Sequence, residues 1–312
     1  MPKTSAVLTP DTLAMLQAIA RSGSFAAAAR SIGLVPSALT YRVRQIEEAL
    51  DVLLFDRRSR NARPTPAGQE LLREGGRLLE EIEAMANRVK RVATGWETQF
   101  TIAVDGVISK PTMMELCDAF LALAPPTRLR LRDETLTGTL EALTSGQADL
   151  AIGTPEPHND RDVHGQLLGE MTFVFAVAPN HPVATAPEPL SDSVLREHRA
   201  VAVADSVQHG SGMTLGLLGG QDVFTVPTML AKLDAQLRGI GCGFVSEPMA
   251  RPYLATGRLV AKSTERGIRM ARLHYAWRNT APTPPGRALQ WWLAQLASTT
   301  TRQALLDRHA HA

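Results

Sequence analysis

One stretch of the chain places apolar residues at a period that a helix satisfies and a strand does not. Leu71, Gly75, Leu78, Ile82, Met85, Val89 and Val92 follow one another at spacings of 4, 3, 4, 3, 4 and 3. That is an unbroken heptad seam over about three heptads, on a helix of roughly 42 Å at ~1.5 Å per residue. Glu70, Glu74, Arg77, Glu80, Glu81, Arg88 and Arg91 occupy its other faces, and Thr94-Gly95 ends it. A seam this narrow, with charged flanks, suits a contact between two chains better than a helix lying on its own domain's core. Leu71, Leu78, Ile82, Met85, Val89 and Val92 are therefore the expected dimerisation residues.

The seam divides 312 residues into unequal parts. Residues 1 to 66 carry a net charge of +4, which leaves −2 for residues 67 to 312 out of an overall +2. A basic head on a slightly acidic body points to an anionic partner for the head alone. The head holds three predicted short helices. Thr9 caps the first, with Pro10 at its first position, and Ser22-Gly23 stops it. Ser24 caps the second, which Gly33 breaks; Pro36 opens the third, which continues to about Ala49.

On the third helix, Leu39, Val43, Ile46 and Leu50 fall in one arc, while Ser37, Thr40, Tyr41 and Arg44 lie opposite, mostly in the first two turns. Core on one side and compact hydrogen-bonding groups at the outer N-terminal end suit a DNA major groove. The preceding helix and its Gly33 turn complete a helix-turn-helix candidate. Arg57, Arg58, Arg60 and Arg63 follow among small turn-forming residues, as in a β-wing that meets phosphates or a minor groove.

These residues resemble the LysR-type transcriptional regulators. The resemblance runs through Leu13, Leu16, Gly23-Ser24-Phe25, Ala28-Ala29, Ser37-Ala38-Leu39-Thr40, Arg42-Val43-Arg44, Ile46-Glu47, Leu53-Leu54-Phe55-Asp56-Arg57 and Thr65-Pro66-Ala67-Gly68, without gaps over residues 8 to 68. Farther on, Ala148-Asp149-Leu150-Ala151-Ile152-Gly153, His181-Pro182 and Gly239-x-Gly241-x-Gly243-Phe244 match as well. The resemblance implies an α/β chain with an N-terminal winged helix-turn-helix (residues 1–66), a linker and dimerisation helix (67–95), and a C-terminal effector-binding domain of two lobes resembling periplasmic binding proteins (96–306). It implies partners too: double-stranded DNA bearing an interrupted palindromic operator, a second copy in a dimer or tetramer, a small-molecule effector, and RNA polymerase if the protein activates. Ser37, Ala38, Thr40, Tyr41 and Arg44 would face bases, with Arg42 nearer phosphate. Pro36 and Tyr41 depart from the family, which commonly has polar residues at those two positions.

After Trp96 the predicted elements alternate between strand and helix, giving a mainly parallel sheet flanked by helices. Expected strands are 100–104, 129–132, 150–153, 173–178, 201–204, 224–226 and 243–245. A closing helix is expected over 291–306, followed by a solvated tail holding His309. Ligands gather at the carboxyl ends of such strands. Those positions are Asp105-Gly106, Glu134-Thr135 and Gly153-Thr154 in one lobe, and Asp205-Ser206 and Pro227-Thr228 in the other. The Asp105 carboxylate favours an effector that donates hydrogen bonds, unless Lys110 or Arg132 neutralises it.

No enzyme constellation accompanies these features, and the expectation is a non-enzyme without cofactor or metal. The histidines show no H-E-x-x-H, residues 239–244 fail G-x-G-x-x-G at the last position, and Ser211 lacks nucleophile-elbow spacing. Cys117 and Cys242 form no metal or redox motif, and Cys242 reads as core. The longest wholly apolar run, Phe173 to Pro179, is far short of the ~20 residues that cross a bilayer. The N-terminus shows no secretion signal, so a soluble cytoplasmic protein is expected.

Overall fold

The computed structural model describes residues 7–56, 62–157, 162–208, 212, 216–278 and 284–309. The chain forms two compact units, residues 1–89 and 90–312. In the first, α1 (Pro10–Ser22), α2 (Phe25–Ser31) and α3 (Pro36–Leu50) are followed by β1 (Phe55–Asp56), β2 (Arg63–Pro64) and the long α4 (Pro66–Thr94). Thr9 and Ser24 cap α1 and α2 as the sequence predicts, and Gly23 and Gly33 adopt the left-handed φ of 63° and 70° that their turns require. Leu16, Ile19, Ala28, Ala29, Leu39, Val43 and Ile46 close one small core.

Two polar groups set how the winged segment leaves α3. Glu47 is buried, and its Oε1 accepts the backbone N–H groups of Leu54 at 2.9 Å and Phe55 at 3.4 Å. Thr65 donates its hydroxyl to the Leu53 carbonyl at 2.6 Å and accepts the Gly68 N–H at 3.0 Å. The Thr65-Pro66-Ala67-Gly68 sequence thus begins α4: a hydroxyl caps it, a proline opens it, and a glycine lies against the Leu54 carbonyl. β1 and β2 pair antiparallel, Phe55 with Pro64 and Asp56 with Arg63.

The second unit contains β3 (Gln99–Asp105), α5 (Lys110–Leu121), β4 (Arg128–Glu134), α6 (Gly138–Thr144), β5 (Leu150–Thr154) and β6 (Val163–Val177). Next come α7 (Asp192–Arg196), β7 (Ala200–Val203), β8 (Val223–Val226), α8 (Met229–Leu237), β9 (Gly243–Ser246), α9 (Glu247–Ala255), β10 (Val260–Lys262), β11 (Arg269–Arg278), α10 (Arg287–Ala297) and α11 (Thr299–Asp307). One sheet runs β10-β6-β11-β5-β3-β4, with β9 also on β6.

The mainly parallel sheet expected from the sequence is corrected here. β3 is parallel to β4 and β5, but β6 is antiparallel to β9, β10 and β11, and β11 is antiparallel to β5. The missed elements include β10, β11, α7, α9 and the first half of β6. In β11, arginines 269 and 272 interrupt the apolar pattern, and in β6 His164, Gly165 and Gln166 follow Val163, so a search for apolar runs passes over both. Their pairing from Val163↔Arg278 to Phe173↔Arg269 makes β6 cross from the first lobe into the second. There β7 and β8 form a parallel pair, bridged to the start of β9 through Ala200 and Cys242.

Phe100, Ile102, Phe120, Ile152, Tyr275 and Trp292 belong to the first lobe's core. The buried Glu97 carboxylate accepts the N–H groups of Ala288 at 3.0 Å and Leu289 at 3.3 Å, so a negative charge sits on the first turn of α10. The single closing helix expected over 291–306 is two helices, because Ser298 leaves helical φ/ψ and caps α11. Nor are Arg308 and His309 free in solvent: His309 is half-buried, Ser109 donates to the Arg308 carbonyl, and Arg308 holds Glu115 through two 2.9 Å bonds. Cys117 and Cys242 are buried.

At Gly68 an added Cβ would collide with the Leu54 carbonyl oxygen. Gly68→Ala is expected to cost the head about 1–3 kcal/mol through overpacking, read as an earlier unfolding transition by calorimetry. An unchanged transition would show that the Leu54 backbone yields freely.

Candidate nucleic-acid interface and effector cleft

Helix α3 divides as its sequence predicts. Leu39, Val43 and Ile46 are buried, and Ser37, Tyr41, Arg42 and Arg44 are exposed, with Ala38 and Thr40 half-buried between them. Among the described residues, neither Arg42 nor Arg44 has an ion-pair partner. Two side chains are tied locally: Thr40 donates to the Pro36 carbonyl at 2.9 Å, and Gln45 Nε2 donates to the Tyr41 hydroxyl at 3.0 Å. The Tyr41 oxygen is thereby engaged within α3 while its ring stays 62% exposed. Arg63 is exposed on β2; Arg57, Arg58 and Arg60 lie outside the described residues, as does Ser211.

The heptad seam of α4 separates into two parts. Leu71 and Leu72 pack against the head's own core, and a Cβ on Gly75 would come within 2.8 Å of Leu13. Leu71 is therefore a core contact of the head, which corrects its assignment to a surface between chains. Beyond it Leu78, Ile82, Met85, Val89 and Val92 are exposed, from 39% at Ile82 to 76% at Val92. Glu70, Glu74, Arg73 and Arg77 form ion pairs along the polar flank.

Most of the strand-end residues chosen from sequence converge, and they bind one another. Asp105 Oδ1 accepts the Val107 N–H at 2.9 Å, and Oδ2 accepts the Leu136 N–H at 2.8 Å. Ser206, from the other lobe, donates to Glu134 Oε2 at 2.6 Å and accepts the Thr135 N–H at 2.9 Å. Thr135 donates to the Ala204 carbonyl at 2.6 Å. Asp205 accepts from the Thr137 hydroxyl at 2.5 Å and the Gly138 N–H at 3.1 Å. A Cβ at Gly138 would collide with Ser206. The two lobes are latched, and a cavity of about 10 Å³ lies beside Glu134, Gly138 and Ser206. Leu136, Thr137 and Gly138 were not foreseen; the Thr137-Gly138-Thr139 run of small residues after a strand is the signal that marks them.

Burial pushes the Asp105 carboxyl up to about 6, and nearby Asp205 adds to this, while the two backbone N–H groups pull it down. Neither expected counter-ion reaches Asp105: Lys110 pairs with Asp133, and Arg132 holds Glu134 at 2.8 Å. Gly153, with φ of 89°, lies where a Cβ would come within 2.8 Å of Asp105. Gly106 packs near Met229 at the start of α8. Thr154 is buried in β5 opposite His274 and stands outside the network. Pro227 and Thr228 are exposed at the cleft's edge, where Thr228 caps α8 by accepting the Ala231 N–H.

A groove of about 520 Å³ lies away from the latch, between β6 and the helices α9 and α11, with Glu170, Glu247, Arg251 and Arg302 on its walls. Among the described residues no group of His, Cys, Asp and Glu side chains is arranged to hold a metal ion. No helix among them is long and apolar enough to cross a membrane.

Residues 10–69 match the family described as bacterial regulatory helix-turn-helix protein, lysR family, and residues 93–301 match the LysR substrate binding domain. The probable HTH-type transcriptional regulator YhaJ of Escherichia coli is 36% identical over 291 residues, covering 93% of this chain and 96% of YhaJ. PunR, another HTH-type transcriptional regulator of Escherichia coli, is 30% identical over 292 residues, 93% of each chain. Solved structures share the fold. Full-length AphB, a virulence activator of Vibrio cholerae, superposes with a TM-score of 0.54 at 17% identity, covering 93% of this chain and 98% of AphB. LysG of Corynebacterium glutamicum with its bound effector Arg gives 0.53 at 20% identity, covering 96% of this chain and all of LysG. With a helix-turn-helix DNA-binding domain joined to an effector-binding domain, the chain belongs to the LysR family of transcriptional regulators.

Proposed function

We propose that the protein reads an interrupted palindromic operator in double-stranded DNA as a dimer or a tetramer. The outer arc of α3 enters the major groove. Ser37, Ala38, Thr40, Tyr41 and Arg44 meet base edges, and Arg42 meets phosphate. Arg57, Arg58, Arg60 and Arg63 follow the backbone or the minor groove from the wing. One observation carries this reading: two arginines without carboxylate partners among the described residues stand on the exposed arc of a helix whose opposite arc is buried. The domains fall at residues 1–66, 67–95 and 96–306. Operator binding places the protein with the chromosome in the cytoplasm, and RNA polymerase joins the partners where it activates. No catalysis is assigned.

The part of the seam from Leu78 to Val92 joins the copies, because a row of exposed apolar side chains at heptad spacing buries its area only against another helix. The effector occupies the cleft between the lobes. Its entry breaks or replaces the Asp105, Glu134, Thr135, Asp205 and Ser206 contacts, and the carboxylates there favour a ligand that donates hydrogen bonds.

Arg44→Ala is expected to weaken operator binding by ~1–3 kcal/mol and relax preference at one base position, read by mobility shift across operator variants. Equal weakening on every sequence would make Arg44 a phosphate contact. Ile82→Asp is expected to yield monomers in sedimentation velocity, and an unchanged mass refutes the role of the seam. The raised Asp105 value means that folding favours its protonated form, so the stability tied to this group is full below about pH 4 and lost as pH rises through about 6. Across that window wild type should lose about 2–3 kcal/mol relative to Asp105→Asn, and parallel pH profiles would place Asp105 in a solvated setting instead.

A further inference from the structure

We infer that the effector held between the lobes is a zwitterion of the amino-acid class, its ammonium on Asp205 and its carboxylate on the hydrogen-bond donors of residues 135–138. This rests on the effector reading of the cleft and adds the chemistry of the ligand. The bonds of the latch have a direction. From the first lobe, Thr135 gives its N–H to Ser206 at 2.9 Å and its hydroxyl to the Ala204 carbonyl at 2.6 Å. Thr137 gives its hydroxyl to Asp205 Oδ2 at 2.5 Å, and Gly138 its N–H to Asp205 Oδ1 at 3.1 Å. In return, Ser206 gives its hydroxyl to Glu134 and its N–H to the Thr135 carbonyl, and Gln208 gives its N–H to Glu141.

Parting the lobes takes partners from both faces. On the first, the N–H groups of Thr135 and Gly138 and the hydroxyls of Thr135 and Thr137 lose their acceptors. On the second, the Ala204 carbonyl loses Thr135, and Asp205 loses Thr137 and Gly138 while keeping the Val207 N–H at 3.2 Å. Each group left without a partner costs free energy. A ligand that stabilises the parted lobes therefore brings acceptors to one face and donors to the other. Ser206, both donor and acceptor in the latch, can serve either pole.

Charge decides which pole goes where. Asp205, released on the second lobe, calls for a cation that donates. On the first lobe the Glu134 carboxylate is already held by Arg132 at 2.8 Å, which leaves that face with hydroxyl and N–H donors that suit an anion. Asp105 keeps the N–H groups of Val107 and Leu136, both in its own lobe, so opening does not release it. An amine alone would leave the first-lobe donors unmet. A carboxylic acid alone would bring a second negative charge against Asp205. One small molecule with both poles meets both faces. Since the faces touch directly in the latch, the poles must lie close together, as they do across the α-carbon of an amino acid.

The test is thermal unfolding of the full-length protein at neutral pH with each of the common L-amino acids in turn, and then with the N-acetyl derivative and the primary amide of any that acts. At least one amino acid is expected to give a saturable rise in Tm. Its N-acetyl derivative lacks the ammonium and its amide lacks the carboxylate, and each should bind at least roughly tenfold more weakly. These comparisons use wild-type protein and need no variant to fold. Asp205→Asn is expected to weaken the amino acid by a similar factor. No saturable response to any amino acid, a derivative that binds as well as its parent, or a response unchanged in Asp205→Asn would each overturn the assignment. A derivative whose saturable response is lost in Asp205→Asn or Thr137→Val would overturn the amino-acid class and leave the cleft as the effector site. A response that survives in both variants would overturn the cleft as well.

Discussion

The effector-binding domain depends on one backbone ladder, β6 against β11. Ten residue pairs from Arg269↔Phe173 to Arg278↔Val163, broken by a single register shift, carry the chain from one lobe to the other. β11 continues this ladder onto β5, and β6 continues it onto β9 and β10. The strands carry arginines, a glutamate and glycines among apolar residues such as Leu168, Met171, Leu273 and Tyr275, which reach the first lobe's core. Backbone hydrogen bonding holds the lobes in one sheet, and packing on either side then gives each lobe its own core.

With that ladder as a spine, the cleft residues on the opposite side are free to make or break contacts without dissolving either core. The contacts they make are polar and mutual: carboxylates accept from hydroxyls and backbone N–H groups of the facing lobe. Such a network has little apolar area behind it, so its strength lies in satisfying groups that would otherwise be buried alone. Burial weighs most on Asp105, whose two backbone hydrogen bonds, from Val107 and Leu136, lie within the first lobe beside the latch.

The head was legible from its sequence almost residue by residue. Its helices are short, and each announces its ends with a hydroxyl, proline or glycine whose chemistry is local: Thr9 and Pro10, Ser24, Gly33, Pro36 and Thr65. Two strand ends of the second unit were legible for a similar reason, since Asp105 and Asp205 each close a short, mostly apolar run. What the sequence hid was nonlocal. Nothing near Val163 or Arg278 marks them as partners across more than a hundred residues. The periodicity of α4 likewise runs on through Leu71, although that residue faces the head's core, because the same helical period serves any apolar neighbour.

Glu97 links the start of the effector domain to its last third by capping α10, and Gly95 accepts the Arg287 N–H at 2.8 Å just beside it. Strand β3 and helix α10 therefore begin from a shared corner. A module whose inlet is stitched to its closing helix in this way behaves as a self-contained cassette. Evolution, or an engineer, can splice it behind a different reader without first inventing a new seam to seal its ends.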